Sequence, residues 1–167
     1  MKINKKAFTL VELLVVVLII GILAAIAVPQ YQKAVYKSRY AQLKFLLQGL
    51  FNAEQAYFLA NNEFTDDYSK LDVTLPAGGT HQDHITAANR FDYDWGWCQL
   101  STTGYLDLYC VSKDRMEMEY VCNSDNSACS KRCAYRDSKD GLSDIRDQIC
   151  QQETGKSAPE NGYAYYY

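Results

Sequence analysis

Residues 13–28 read LLVVVLIIGILAAIAV, sixteen positions without a single polar side chain. A surface helix of a water-soluble domain carries an apolar stripe opposite a polar face, so a segment apolar on every side calls for a surround other than water. Extended back to Phe8, the stretch admits only Thr9 and Glu12 as polar residues. At about 1.5 Å per residue, a helix over 8–28 is roughly 30 Å long, the hydrocarbon thickness of a bilayer. Lys2, Lys5 and Lys6 lie just before it. By the positive-inside rule they hold the N-terminus in the cytoplasm and send everything beyond Val28 outward.

A cleaved signal peptide shares the basic start and apolar middle, and LAAIAVPQ offers small residues for a cut. Two features resist that reading: the run exceeds an ordinary apolar region of about 7 to 15 residues, and Glu12 stands at its front. A carboxylate costs roughly 2.5 to 3.5 kcal/mol at the centre of a membrane helix and less near an end, so it needs a partner. A cut between Ala7 and Phe8 supplies one. The new ammonium of Phe8 lies one turn from Glu12, the i to i+4 spacing puts both on one face, and the carboxylate also favours the positive end of the helix dipole. The same pair formed between neighbouring chains fixes their stagger, because an unpaired buried charge is expensive.

The segment KKAFTLVELLVVVLIIGILAAIAVPQYQKAV resembles the N-terminus of type IV pilins and of their relatives, the pseudopilins of type II secretion. The resemblance implies a leader, residues 1–7, removed by a prepilin peptidase; N-methylation of Phe8; and Glu12 as the fifth residue of the mature chain. It further implies that Gly21, Pro29 and Tyr31 match the family's glycine, proline and tyrosine. Ala7 departs from the family, whose residue before the cut is usually glycine. Glycine is common in membrane helices and proline often ends an apolar run. The family reading makes both Gly21 and Pro29 weak points that let the helix bend or melt as a subunit leaves lipid, since interior proline removes a donor and clashes with the preceding turn.

The implied fold is α+β, the type IV pilin fold: a long N-terminal α-helix packed on a small antiparallel β-sheet with a disulfide-stapled C-terminal loop region. The chain itself is consistent with that outline. Beyond Pro29, Ala34, Leu43, Leu46, Leu47, Leu50, Ala53 and Tyr57 recur at threes and fours, which predicts that the membrane-spanning half, 8–28, continues as an amphipathic half, 29–61. Two helices broken at Pro29 are the alternative. Residues 62–90, rich in turn formers, read as a surface connection, with His81 and His84 as solvated loop residues. Residues 91–167 carry the sheet and the cysteines.

In FDYDWGWC the odd positions are aromatic, which reads as strand alternation with the aromatic face opposite that of Cys98, so either both faces are covered or a bulge at Gly96 exchanges the two. Cys98 and Cys110 are equidistant from Gly104, predicting a hairpin stapled across that turn. RMEMEYVC alternates again, Cys122 faces Cys129 across a polar turn, and Cys133 and Cys150 enclose a short helix that includes Leu142, Ile145 and Ile149. Six cysteines allow fifteen pairings. The sequential set is expected, formed outside the cytoplasm, with zinc as the competing reading that no second knuckle pair supports. The tail NGYAYYY reads as an edge strand, a loose end or an adhesive patch, the last least favoured.

Losing the leader with three of the 17 basic residues leaves a net charge of about −6 against 20 acidic residues, which argues against nucleic acid as a partner. No nucleophile elbow, HExxH or phosphate loop is present, so neither enzymatic chemistry nor a cofactor is expected. The expected function is a structural subunit of a type IV pilus-like filament. Its partners are copies of itself, the prepilin peptidase, membrane lipid and inner-membrane assembly machinery of the pilus or type II secretion kind. The alternatives are a pseudopilin of a periplasmic pseudopilus and, from another class, a membrane-anchored extracytoplasmic enzyme or binding domain. The expected location is the inner membrane as a single-pass protein, then an extracellular filament.

Overall fold

A computed structural model describes residues 8–83, 88–135, 143–160 and 164–167. The leader with Ala7, together with His84 and Leu142, lies outside the described residues. The chain divides into two units, the first ending at Val35 and the second comprising Tyr36–Tyr167.

Helix α1 runs without interruption over Leu10–Asn61 and contains Pro29. Pro29 therefore does not split the segment into two helices. In the second unit, Tyr40, Leu43, Leu46, Leu47, Leu50 and Ala53 of α1 are buried. Their spacing of three and four places them on one face, the one that meets the sheet.

Among the described residues, seven strands form one antiparallel sheet in sequence order: β1 Thr80–Asp83, β2 Ala88–Tyr93, β3 Gly96–Ser101, β4 Tyr105–Ser112, β5 Met116–Asn123, β6 Cys129–Tyr135 and β7 Ala164–Tyr166. Its inner face presents Cys98, Leu100, Leu106, Leu108, Cys110, Met116, Met118, Tyr120, Cys122 and Cys133 to the α1 residues, in one cluster. Full burial of each such aliphatic side chain contributes roughly 1.5 to 3 kcal/mol, an upper figure because a real unfolded chain already hides part of that surface. Phe51 stacks on Tyr120 at 4.1 Å, and the Tyr120 hydroxyl donates to Gln48 Oε1 at 2.5 Å.

Two expectations are corrected. The stretch 62–90 is not simply a connection: a 3-10 turn, Tyr68–Lys70, then β1 and the first residues of β2 fall inside it. His81 lies in β1. Nor is FDYDWGWC one strand with a bulge. Asp94 and Trp95 form a two-residue turn, Tyr93 pairs with Gly96, and Phe91 pairs with Cys98. The fold-back moves Phe91 and Tyr93 to the core side with Cys98, while Trp97 goes to the outer face, 4.2 Å below the Arg90 guanidinium and 5.3 Å from Tyr109. Gly96 is required by close approach: a Cβ there would stand 2.3 Å from the Val111 carbonyl oxygen.

The cysteines close as Cys98–Cys110, Cys122–Cys129 and Cys133–Cys150. The first two join directly opposed residues of β3 with β4 and of β5 with β6. The turn between β3 and β4 places Gly104 at φ +80°, which a glycine adopts without steric cost. The third bridge ties β6 to helix α2, Ser143–Thr154. Asp114, between β4 and β5, is held from both helices: Arg39 of α1 donates to its carboxylate at 2.6 and 2.7 Å, and Arg146 of α2 to its carbonyl at 2.8 Å. Of the tail, Ala164–Tyr166 form the edge strand β7. Tyr165 is buried in the core, its hydroxyl bonded to Asp147 and accepting from Gln151, and the Lys131 ammonium lies 4.0 Å over the Tyr167 ring.

Candidate functional site

The first unit is built from the start of α1. Its first turn is closed by a reciprocal pair in the sequence T-x-x-E. The Glu12 amide donates to Thr9 Oγ1 at 3.2 Å, while Glu12 Oε2 accepts the Thr9 amide at 2.9 Å and the Thr9 hydroxyl at 2.7 Å. Thr9 is the residue before the first helical one, so this is a capping box that satisfies amides the helix leaves open. Glu12 also sits where the helix dipole favours a negative charge. Thr9 was not among the residues singled out from the sequence, although the T-x-x-E signature before an apolar run marks it.

Behind this cap the side chains are apolar and in the open. Phe8 is 75 % exposed, and the large apolar residues from Leu10 to Val28 are all exposed as well. The segment is long and apolar enough to cross a membrane, and none of its most apolar stretch is buried. An apolar surface this large marks a site of contact with lipid or with other protein.

Gly21 has nothing within 4 Å of where a Cβ would stand. Packing inside this chain therefore does not explain the absence of a side chain there. The helix passes through Pro29, which has no amide to offer the Ala25 carbonyl one turn back, so a hydrogen bond of the ladder is missing at that point. Tyr31, two residues on, is 71 % exposed.

Of the residues expected to act together, Glu12 is in the first turn of α1 and Phe8 lies just before the helix, which begins at Leu10. In the unprocessed chain, however, the Phe8 nitrogen is part of a peptide bond, and the described hydrogen bonds of the Glu12 side chain go to Thr9. The six cysteines all lie in the second unit and take no part in this segment. Among the described residues, no group of three or more His, Cys, Asp or Glu is disposed to hold a metal ion.

The segment matches the prokaryotic N-terminal methylation motif over residues 2–28. The chain is similar to the type IV major pilin protein PilA of Myxococcus xanthus, 34% identical over 116 residues, which cover 66% of this chain and 50% of that relative. It is similar to the type IV major fimbrial protein FimA of Dichelobacter nodosus, 37% identical over 92 residues, 53% of this chain and 59% of the relative. It is also similar to the type IV major pilin protein PilE1 of Neisseria gonorrhoeae, 33% identical over 72 residues, 43% of this chain and 44% of the relative. The chain thus spans about half the length of the curated relatives it matches. No solved structure is significantly similar to it. A capped, wholly apolar helix behind a lysine-rich start, a methylation motif over that segment, and similarity to relatives named as major pilins together support a type IV pilin family for the chain.

Proposed function

We propose that the chain is a structural subunit of a type IV pilus-like extracellular filament, assembled through its N-terminal helix after a prepilin peptidase removes residues 1–7. The observation that carries this reading is the segment from Phe8 to Val28, helical from Leu10 on, with its large apolar side chains uncovered. Before assembly the covering medium is the inner membrane, with the N-terminus cytoplasmic; afterwards it is the same segment of neighbouring copies. Relatives named as type IV major pilins and fimbrial proteins support the reading.

Cleavage changes the chemistry of the first turn. Hydrolysis of the Ala7–Phe8 peptide bond leaves a carboxylate on the departing leader and an ammonium on Phe8, and methylation keeps that nitrogen cationic. Thr9 and Glu12 hold one another in place, so the carboxylate stands presented at the start of the helix when the cation appears. A charge pair in an apolar surround is strong only when both members are in position, so chains that pack out of register leave a charge unpaired. Glu12 then sets the stagger, and the capping box keeps it aimed. Gly21 and Pro29 weaken the rod where it passes from lipid to filament. The three disulfides keep the outward unit folded.

The test is N-terminal analysis of fibres sheared from cells that express the chain. Fibres whose subunits begin at N-methylated Phe8 support the proposal. A cell-bound protein that begins at Met1 or beyond Ala25, with no fibres, overturns it in favour of an anchored protein.

A further inference from the structure

Glu54 is a carboxylate on the core-facing side of α1, beside the buried Ala53 and one turn from Leu50, and it is fully buried. Its Oε2 accepts the Thr65 amide at 3.3 Å, and its Oε1 has no hydrogen-bond partner. Among the described residues no cation pairs with it. Thr65, also buried, begins a closely knit connection: its hydroxyl accepts the Asp67 amide at 3.1 Å, and Asp67 in turn accepts the Ser69 amide at 3.0 Å to cap the 3-10 turn. The Asp66 carbonyl accepts the side-chain amide of Asn89 on β2. Just before Thr65, Phe64 lies 4.6 Å from Phe58 of α1. The polar tie between α1 and this connection thus ends on one enclosed carboxyl group.

We propose that Glu54 is a pH-operated latch: its protonated form holds the connection from Phe64 to Leu71 down on α1, and its ionised form lets that connection lift away.

An ionised carboxylate cannot remain in this surround cheaply, because one oxygen has no donor and no counter-charge offsets the lost water. Burial pushes the Glu54 carboxyl up to about 7, opposed by the Thr65 amide and assisted by the negative charge of Asp66. The groups facing it are Asp66 and Tyr68 from the connection, with Tyr93 of β2 beside Tyr68. The Tyr68 phenol is raised by its own burial and then by Tyr93 and Glu54, so it stays neutral throughout. When the connection lifts, Glu54 regains water and returns to the ordinary glutamate range. The closed form therefore binds the proton more tightly. The closed state is at full strength below about pH 4.5, weakens as pH climbs from there to about 7, and is steady above that. The proton is released to solvent, and no other reactant is needed. The latch concerns the second unit alone and is independent of how the filament assembles.

Hydrogen exchange of the full chain in detergent micelles, corrected for the intrinsic rate at each pH, tests the idea. Between pH 5 and 7.5 the protection of the Thr65 amide should fall tenfold or more, and at every pH it should stay below that of the β4 and β5 amides, because the connection opens without the sheet. In Glu54→Gln the fall should vanish. A flat wild-type profile, an equal fall in Glu54→Gln, or a Thr65 amide as protected as those of β4 and β5 at every pH would overturn the latch. Should Glu54→Gln fail to fold, carbon-13 titration of the wild-type Glu54 carboxyl replaces it: a midpoint near 7 that moves the Thr65 amide supports the proposal, and one below 5 overturns it.

Discussion

Thr9 and Glu12 hold each other: the Thr9 hydroxyl accepts the Glu12 amide at 3.2 Å while the Glu12 carboxylate accepts the Thr9 amide at 2.9 Å. The glutamate at the front of an apolar helix thus has a local task, starting the helix, in addition to the intermolecular one proposed for its charge. The two are separable because glutamine can close the same box without a charge.

Glu12→Gln should keep the helix start and membrane insertion yet stop or disorder fibre assembly. Glu12→Ala should lose both the cap and assembly, and Thr9→Ala should loosen the first turn by about 1 kcal/mol while leaving the charge. Circular dichroism of the processed chain and electron microscopy of sheared material read the two effects. Regular fibres from Glu12→Gln alone would remove the charge-pairing account and leave capping as the residue's role.

Two glycines should behave oppositely. Gly96→Ala drives a methyl group into the backbone of β4, so thermal unfolding should show a loss of about 1 to 3 kcal/mol or more. Gly21→Ala meets open space in the single chain and should leave its thermal unfolding unchanged, so that any effect appears only in fibre yield or order.

Each disulfide contributes roughly 2 to 4 kcal/mol. The Cys133–Cys150 bridge is a covalent tie between α2 and the sheet. The double variant Cys133→Ala with Cys150→Ala should lose hydrogen-exchange protection in α2 and β7 first, with α1 protected longer. Simultaneous loss in α1 and α2 would contradict a separately stapled region.

On the outer sheet face, Glu119 of β5 forms an ion pair with Arg132 of β6, with Glu117 and Asp107 close by. Burial pushes the Glu119 carboxyl up to about 7 despite Arg132, and Asp107 and Glu117 add to the rise. A folded-state value above the unfolded one means that the native form holds the proton more tightly, so stability declines as pH goes from about 4.5 to 7. Denaturant titrations across that window should show the decline, and Glu119→Gln should flatten part of it. Stability that rises over the same range in the wild type would be the contrary result.

Much of the architecture was legible because its signals are periodic. Leu43, Leu46, Leu47 and Leu50 mark one helix face, and the even separation of Cys98 and Cys110 about Gly104 keeps them in register across the turn. The β2–β3 hairpin was hidden for a related reason. Across a two-residue turn paired positions have an odd separation, as Phe91 and Cys98 do, so an aromatic face at odd positions and a leucine and cysteine face at even positions are one face after folding back. Gly96 suggested a bulge, whereas its cause is the nearness of Val111, a contact no local pattern reveals. At the candidate site, Glu12, Gly21 and Pro29 stood out because each is unusual in an apolar run. Thr9 did not, since a hydroxyl next to a membrane helix looks unremarkable until the glutamate three residues later is read with it. The role of Glu54 was beyond the sequence, as its enclosure depends on the connection folding over it.

Ala7 is the one departure from the family's residue pattern at the cut. Replacing it with a bulky residue such as phenylalanine should leave full-length precursor in the membrane, visible as a higher mass on gels. Unchanged processing would point to a different peptidase.

The most direct measurement is the intact mass and N-terminal sequence of subunits taken from regular fibres. The account predicts a chain that begins at N-methylated Phe8 and carries three disulfides. Well-ordered fibres built from subunits that still carry residues 1–7 would contradict it, because no amine would then exist for Glu12 to meet.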